Sequence, residues 1–280
     1  MAEITAAAVK ALREKTDLPM MECKKALTEA GGDEAKAIAI LKEQFKKVQL
    51  KRADNATEEG RIFIATRDGF AEAAMVEIQC ESPPVATGEV LRDVGHSLVE
   101  QLLRGPGATT PADLMRQKPA GSTRTFQEIF EEIVNKIREK IVVNRIARLT
   151  GPVGGYVHHN YKTAVLFVAT GTPKPPEILR DVAMHIAAMR PVVTNPDELD
   201  PAIVQAERDR LSAEARSSGK PENIISKMVD GKMKIFYAEQ GVLAFQQFAR
   251  DDSKTAGQAL TEAGLQPVRF LRWNVGGQNK

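Results

Sequence analysis

The sequence predicts an α+β protein: a small three-helix module followed by a core of two related halves, each an antiparallel sheet with helices. Three observations carry that prediction. Residues 1–45 hold three amphipathic helical segments divided by turn residues. Twice thereafter, two β-patterned runs are followed by a helix. The two helices also share a tetrapeptide, Leu91-Arg92-Asp93-Val94 and Leu179-Arg180-Asp181-Val182, which points to duplication. The architectural parallel carries more weight than the four-residue match.

Leu12-Arg13-Glu14-Lys15-Thr16 closes a first helix, and Met20-Met21-Glu22-Cys23-Lys24-Lys25-Ala26-Leu27 opens a second. Thr16 and Asp17 are candidate caps, Pro19 suits a first helical turn, and Gly31-Gly32 stops the second helix. Asp33 then caps a third, running through Ala35, Ile38, Ile40 and Leu41 toward Phe45. Residues 46–60 read as a basic linker, entered as a helical extension, and the first half of the core as 61–140. Within it, Arg61 to Thr66 and Phe70 to Cys80 form a hairpin about Asp68-Gly69, which supplies the positive φ of a tight turn. A helix from Gly88 to Arg104 places Val90, Leu91, Val94, Leu98 and Leu102 on one face. Thr125-x-x-Glu128 is a capping box for a helix through Ile129, Ile133, Ile137 and Arg138.

The second half, 141–280, repeats the scheme. Ile141 to Leu149 alternates, Gly154 to Asn160 and Thr163 to Thr170 read as strands, and a helix follows from Glu177 to Met189. A helical insertion occupies about 197–234, its two helices separated by Ser217-Ser218-Gly219-Lys220-Pro221, with apolar positions at Ile203, Leu211, Ile224, Ile225 and Met228. Ser253 caps a helix to Ala263, and the strand Val268 to Val275 joins one of the sheets.

Composition narrows the functional classes. A net charge of +2 argues against a dedicated nucleic-acid binder. No apolar run is long enough to span a bilayer, and Glu3, Lys10, Arg13 and Glu14 interrupt any signal-peptide pattern, so a cytoplasmic setting is expected. Cys23 and Cys80 show no metal-ligand spacing; Cys23 reads as a small buried apolar residue, and Glu81 beside Cys80 disfavours a thiolate. His158 and His159 fall in a predicted strand, on alternating faces, while His96 and His185 suit packing or an interface. There is neither a phosphate-binding loop of the Gly-x-x-x-x-Gly-Lys type nor a dinucleotide fingerprint. No catalysis, metal or cofactor is expected.

The chain resembles the elongation factor Ts family over nearly its whole length. The resemblance rests on the N-terminal segment above, Glu29-Ala30-Gly31-Gly32-Asp33, Asn144-Arg145 and Gly155-Tyr156-Val157-His158. It continues through Ala183-Met184-His185-Ile186-Ala187-Ala188, Ser218-Gly219-Lys220-Pro221, Lys227-Met228-Val229, Ser253-Lys254-Thr255 and Gly257-Gln258. It implies a UBA-like N-terminal module that docks on elongation factor Tu, and a core that helps release its GDP. The expected contact residues are Met20, Met21 and Lys24 on the module, Ser82, Pro83, Pro84 and Val85 in a loop, and Tyr156 with His158 on a strand. The partner is elongation factor Tu, GDP-bound or nucleotide-free, without membrane or direct nucleic-acid contact.

The loop departs from the family pattern. Members carry Thr-Asp-Phe after the core strand, the Phe wedging into the partner; here Ser82-Pro83-Pro84 stands in that place. The prolines are expected to hold a rigid, extended ridge that cannot insert as an aromatic ring does. The C-terminal helical module of some members has no counterpart before residue 280. The alternative reading is a diverged relative that binds elongation factor Tu, or another partner, without rapid exchange.

Overall fold

A computed structural model describes residues 4–277 apart from 17, 68, 69 and 218, with side chains at 45–49 also left aside. Asp17, the Asp68-Gly69 turn, Ser218 and the Phe45 side chain therefore lie outside the described residues. The chain forms two compact units, Met1–Arg61 with Val76–Ile146, and Ile62–Met75 with Ala147–Lys280.

In the first unit, α1 (Ala6–Thr16), α2 (Met20–Glu29) and α3 (Glu34–Lys51) bury Val9, Leu12, Leu18, Cys23, Ala26, Leu27, Ala37 and Leu41 together. Cys23 is thus the packed residue its context predicted. Asp33 caps α3 by accepting from the Lys36 N–H at 3.0 Å. Thr16 caps nothing, because its hydroxyl donates back to the Leu12 carbonyl inside α1. Gly31 and Gly32 take positive φ at the end of α2, where the Gly32 N–H closes on the Leu27 carbonyl.

β1 (Glu59–Thr66), β2 (Glu72–Cys80) and β3 (Ile141–Thr150) form a sheet in that order. Between β2 and β3 run α4 (Pro83–Thr87), α5 (Glu89–Arg104), α6 (Pro111–Met115) and α7 (Phe126–Ile137). Every residue of β2 from Ala73 onward is buried, so the strand has no wet face. α5 buries Leu91, Val94, Leu98 and Leu102 as its spacing predicts, but Val90 faces solvent. α7 starts at the predicted Thr125–Glu128 capping box and runs through the three isoleucines; it buries Phe126, Phe130 and Val134 and leaves Ile129, Ile133 and Ile137 half-buried. The helix carries two adjoining apolar stripes, and the one with the phenylalanine rings is buried more deeply. β3 does not alternate either: Ile141, Arg145 and Leu149 are its buried positions.

The second unit holds a sheet of β4 (Val153–Val157), β5 (Thr163–Gly171) and β8 (Leu265–Asn274), in that order and antiparallel throughout. Its third strand, like that of the first sheet, pairs with the second strand of a hairpin after intervening helices. α8 (Ile178–Met189) lies across it, burying Leu179 and Val182, the counterparts of Leu91 and Val94. The crossing is close. A Cβ at Gly154 would sit 2.2 Å from the Leu179 carbonyl oxygen, so glycine is required there. One face of the sheet packs with α8 and α11 (Ala256–Glu262); the other packs Leu166, Val168 and Trp273 against Ile62, Met75 and Leu149. Thr255, not Ser253, caps α11: it forms a capping box with Gln258, while the Ser253 hydroxyl bonds Asp251 within β7 (Asp251–Thr255), the partner of β6 (Gln247–Phe248).

α9 (Pro201–Arg216) and α10 (Glu222–Glu239) pack through Leu211, Ala215, Ile225, Val229 and Met233. Of the apolar positions anticipated there, Ile203 and Ile224 are exposed and Met228 is half-buried. The surface pairs Arg208–Asp230 and Lys232–Glu214 link the two helices.

Candidate functional site

The expected contact residues fall into three groups. On α2, buried Cys23, Ala26 and Leu27 face the module's core, which turns Met20, Met21 and Lys24 outward. Met20 is 49% and Met21 64% exposed, high values for large apolar side chains. Met20 and Lys24 are four residues apart and share one helix face.

The second group does not have the predicted backbone. Pro83 and Pro84 are the first residues of α4, not an extended ridge. Proline's fixed φ suits a first helical turn, where its missing N–H has no partner to lose, so two prolines can begin a helix as readily as stiffen a loop. Ser82 sits at the N-cap position without capping; its N–H and hydroxyl both donate to the Glu139 carboxylate, at 3.1 and 2.6 Å. The residue before it is held as firmly. Burial pushes the Glu81 carboxyl upward, but hydrogen bonds from the Lys140 N–H, Asn55 and Arg52 outweigh it and hold the group below its usual range. The loop therefore leaves β2 from a fixed base, with Pro83 and Pro84 exposed and Val85 half-buried.

The third group is Tyr156 and His158. The Tyr156 hydroxyl lies 3.2 Å from His158 Nδ1, as residues two apart on one strand face allow. The strand ends at Val157, however, so His158 and His159 occupy the turn beyond it, not the strand. There the peptide still bonds across: the His158 N–H donates to the Thr163 carbonyl.

His96 is exposed and His185 fully buried. The Ala249 N–H donates to His185 Nδ1 at 3.1 Å, which leaves Nε2 protonated and donating to Gln246 Oε1 at 3.2 Å. Burial lowers the imidazole pKa below 6.5, and the Gln246 bond offsets part of that. A depressed folded-state value means that the unfolded chain binds the proton more readily, so stability falls as the pH drops through 6.5. The urea midpoint is expected to decrease between neutral and mildly acidic pH, and His185→Gln to flatten that decrease. An equal pH slope in the variant would assign the effect to other groups.

Two features escaped the sequence reading. Glu77, fully buried on β2, pairs with Arg145 on β3 at 2.6 Å, while Gln79 and Asn144 donate to the same carboxylate. The pairs Glu72–Arg148, Glu77–Arg145 and Glu81–Lys140 run in opposite sequence directions, as antiparallel strands require. Neither partner of the Glu77–Arg145 pair signals the other from 68 residues away. The second is Glu139, whose grip on Ser82 joins α7's end to the loop.

Among the described residues no group of three or more His, Cys, Asp or Glu could hold a metal, and no helix is long and apolar enough to cross a membrane. Comparison with known proteins places the chain beside a translation factor family. A family model described as elongation factor TS matches residues 84–277. The chain is similar to elongation factor Ts of Bordetella avium, 40% identical over 279 residues that cover 99% of this chain and 92% of the relative. It is also similar to those of Hyphomonas neptunium, 37% identical over 99% of this chain and 93% of the relative, and Acidothermus cellulolyticus, 37% over 99% of each.

Proposed function

The chain belongs to the elongation factor Ts family, and from that footing we propose that it binds elongation factor Tu and speeds release of its GDP. Its own residues make and break no bond in this reading. Exchange is a coupling of two equilibria: a factor that binds the distorted or empty nucleotide site more tightly weakens GDP binding by the same factor that GDP weakens its own. The setting this requires is the cytoplasm of a translating cell.

The observation that best supports a docking role is the exposed Met20–Met21 pair beside Lys24. An isolated module gains nothing by leaving two long thioethers in water, whereas methionine adapts well to an apolar partner groove. Tyr156 and His158 offer a second contact of mixed character.

The Pro83–Pro84 turn favours a second reading, a binding module with slow exchange. The loop has no ring to insert and no carboxylate to disturb a bound Mg²⁺. We expect exchange here to depend less on this loop than in relatives that carry Asp-Phe. Release of a fluorescent GDP analogue from elongation factor Tu tests both readings. The native protein should accelerate release, Pro83→Ala/Pro84→Ala should keep most of that rate, and Pro83→Asp/Pro84→Phe should exceed it. Tight binding without acceleration would establish the binding-module reading. Loss of exchange in the alanine variant, with its fold intact, would make the prolines themselves the wedge.

A further inference from the structure

The sheet face that carries Tyr156 continues into a feature that none of the docking residues explains. By strand register, Tyr156 lies opposite Val165, and Val165 opposite Arg272 on β8. One row further, His158 bonds Thr163, which lies opposite Asn274. Residues opposite one another share a face, so Arg272 shares the α8-covered side with Tyr156 and His158, across the middle strand from them. Arg272 is half-buried, and its Nε is shut off from solvent with no hydrogen-bond partner. The charge that acts on it is another cation, Arg190, at the left-handed residue that ends α8. Burial together with Arg190 lowers the Arg272 pKa. Neither guanidinium is paired with a carboxylate among the described residues.

That combination is costly in the free protein. A buried guanidinium N–H without an acceptor forfeits its hydration, and two like charges add repulsion. An anion seated between the two would answer both costs, and the planar forks of arginine match a carboxylate in bidentate geometry. We propose that Arg272 and Arg190 form a receptor for a side-chain carboxylate of elongation factor Tu, on the same sheet face as the Tyr156–His158 contact. The inference rests on the exchange-factor reading for the identity of the partner. A nucleic-acid phosphate is the less suitable occupant, because a net charge of +2 supplies no broad positive field to hold a strand.

Calorimetric binding to purified elongation factor Tu, at low and moderate salt, tests the assignment. Arg272→Met keeps the aliphatic stem and loses the charge; Arg190→Gln alters an exposed residue and leaves the core alone. Each is expected to weaken binding about tenfold at low salt and to flatten its salt dependence. The thermal midpoint of Arg272→Met should be unchanged or raised, since an unpaired buried charge is removed. A lowered midpoint with unchanged affinity would make Arg272 structural and overturn the proposal. So would native affinity in Arg190→Gln together with native affinity in Arg272→Met. Binding of a single-stranded RNA oligomer that depends on Arg272, with partner binding unaffected, would reassign the pair to nucleic acid and also overturn it. A native protein that fails to bind elongation factor Tu at all would instead defeat the exchange-factor reading.

Discussion

Replacing Glu77 with alanine is expected to destabilise the protein by about 3–5 kcal/mol, the usual cost of removing one partner from a buried ion pair. Arg145 would keep its charge in a site only 8% exposed, with its ion-pair carboxylate gone. Gln79 and Asn144 would lose an acceptor in the same step. The double variant Glu77→Met/Arg145→Met should lose much less than the sum of the singles, because it leaves no uncompensated charge. Equilibrium urea unfolding of the native protein, both singles and the double measures the coupling. A loss below about 1 kcal/mol in Glu77→Ala would mean that water reaches Arg145 and solvates it.

Removing both methionines from α2 is expected to weaken docking far more than stability. Each thioether buried at an interface contributes about 1.5 kcal/mol or more, so Met20→Ala/Met21→Ala should lose about 2–4 kcal/mol of binding, or roughly 30- to 1000-fold in affinity. Both side chains are exposed in the free chain, so the melting midpoint should barely move. Titration calorimetry against elongation factor Tu reads the first quantity and circular dichroism the second. A loss smaller than about threefold would place the main docking contact elsewhere.

What the sequence revealed of this fold was mostly local. Thr125 with Glu128 is a four-residue signal, and the helix starts where that signal stands. Thr255 with Gln258 is the same signal and outcompetes Ser253, whose hydroxyl finds Asp251 first. Choices between two local solutions were harder to read. Phe126, Phe130 and Val134 beat the isoleucine stripe of the same helix because neighbouring elements pack there. Pro83 and Pro84 fit both an extended run and a helix start, and the Ser82–Glu139 contact with the Thr87 hydroxyl on the proline carbonyls holds the helical turn. The site divides along the same line. Tyr156 and His158 are two residues apart, so their contact is legible. The pairing of Glu77 with Arg145, and the unpartnered Nε of Arg272, depend on strand register and burial that spacing does not encode.

The strand β8 pairs Asn274 with Thr163, 111 residues earlier. During synthesis the middle strand β5 therefore emerges long before the segment that covers its second edge. Until then the ladder groups of β5 meant for β8 stand open. Closing so long a loop is entropically slow compared with forming the three-helix module, whose contacts lie within about forty residues. Chains stopped short of residue 265 should accordingly be the species that chaperones hold and that aggregate, while the N-terminal helices are already native.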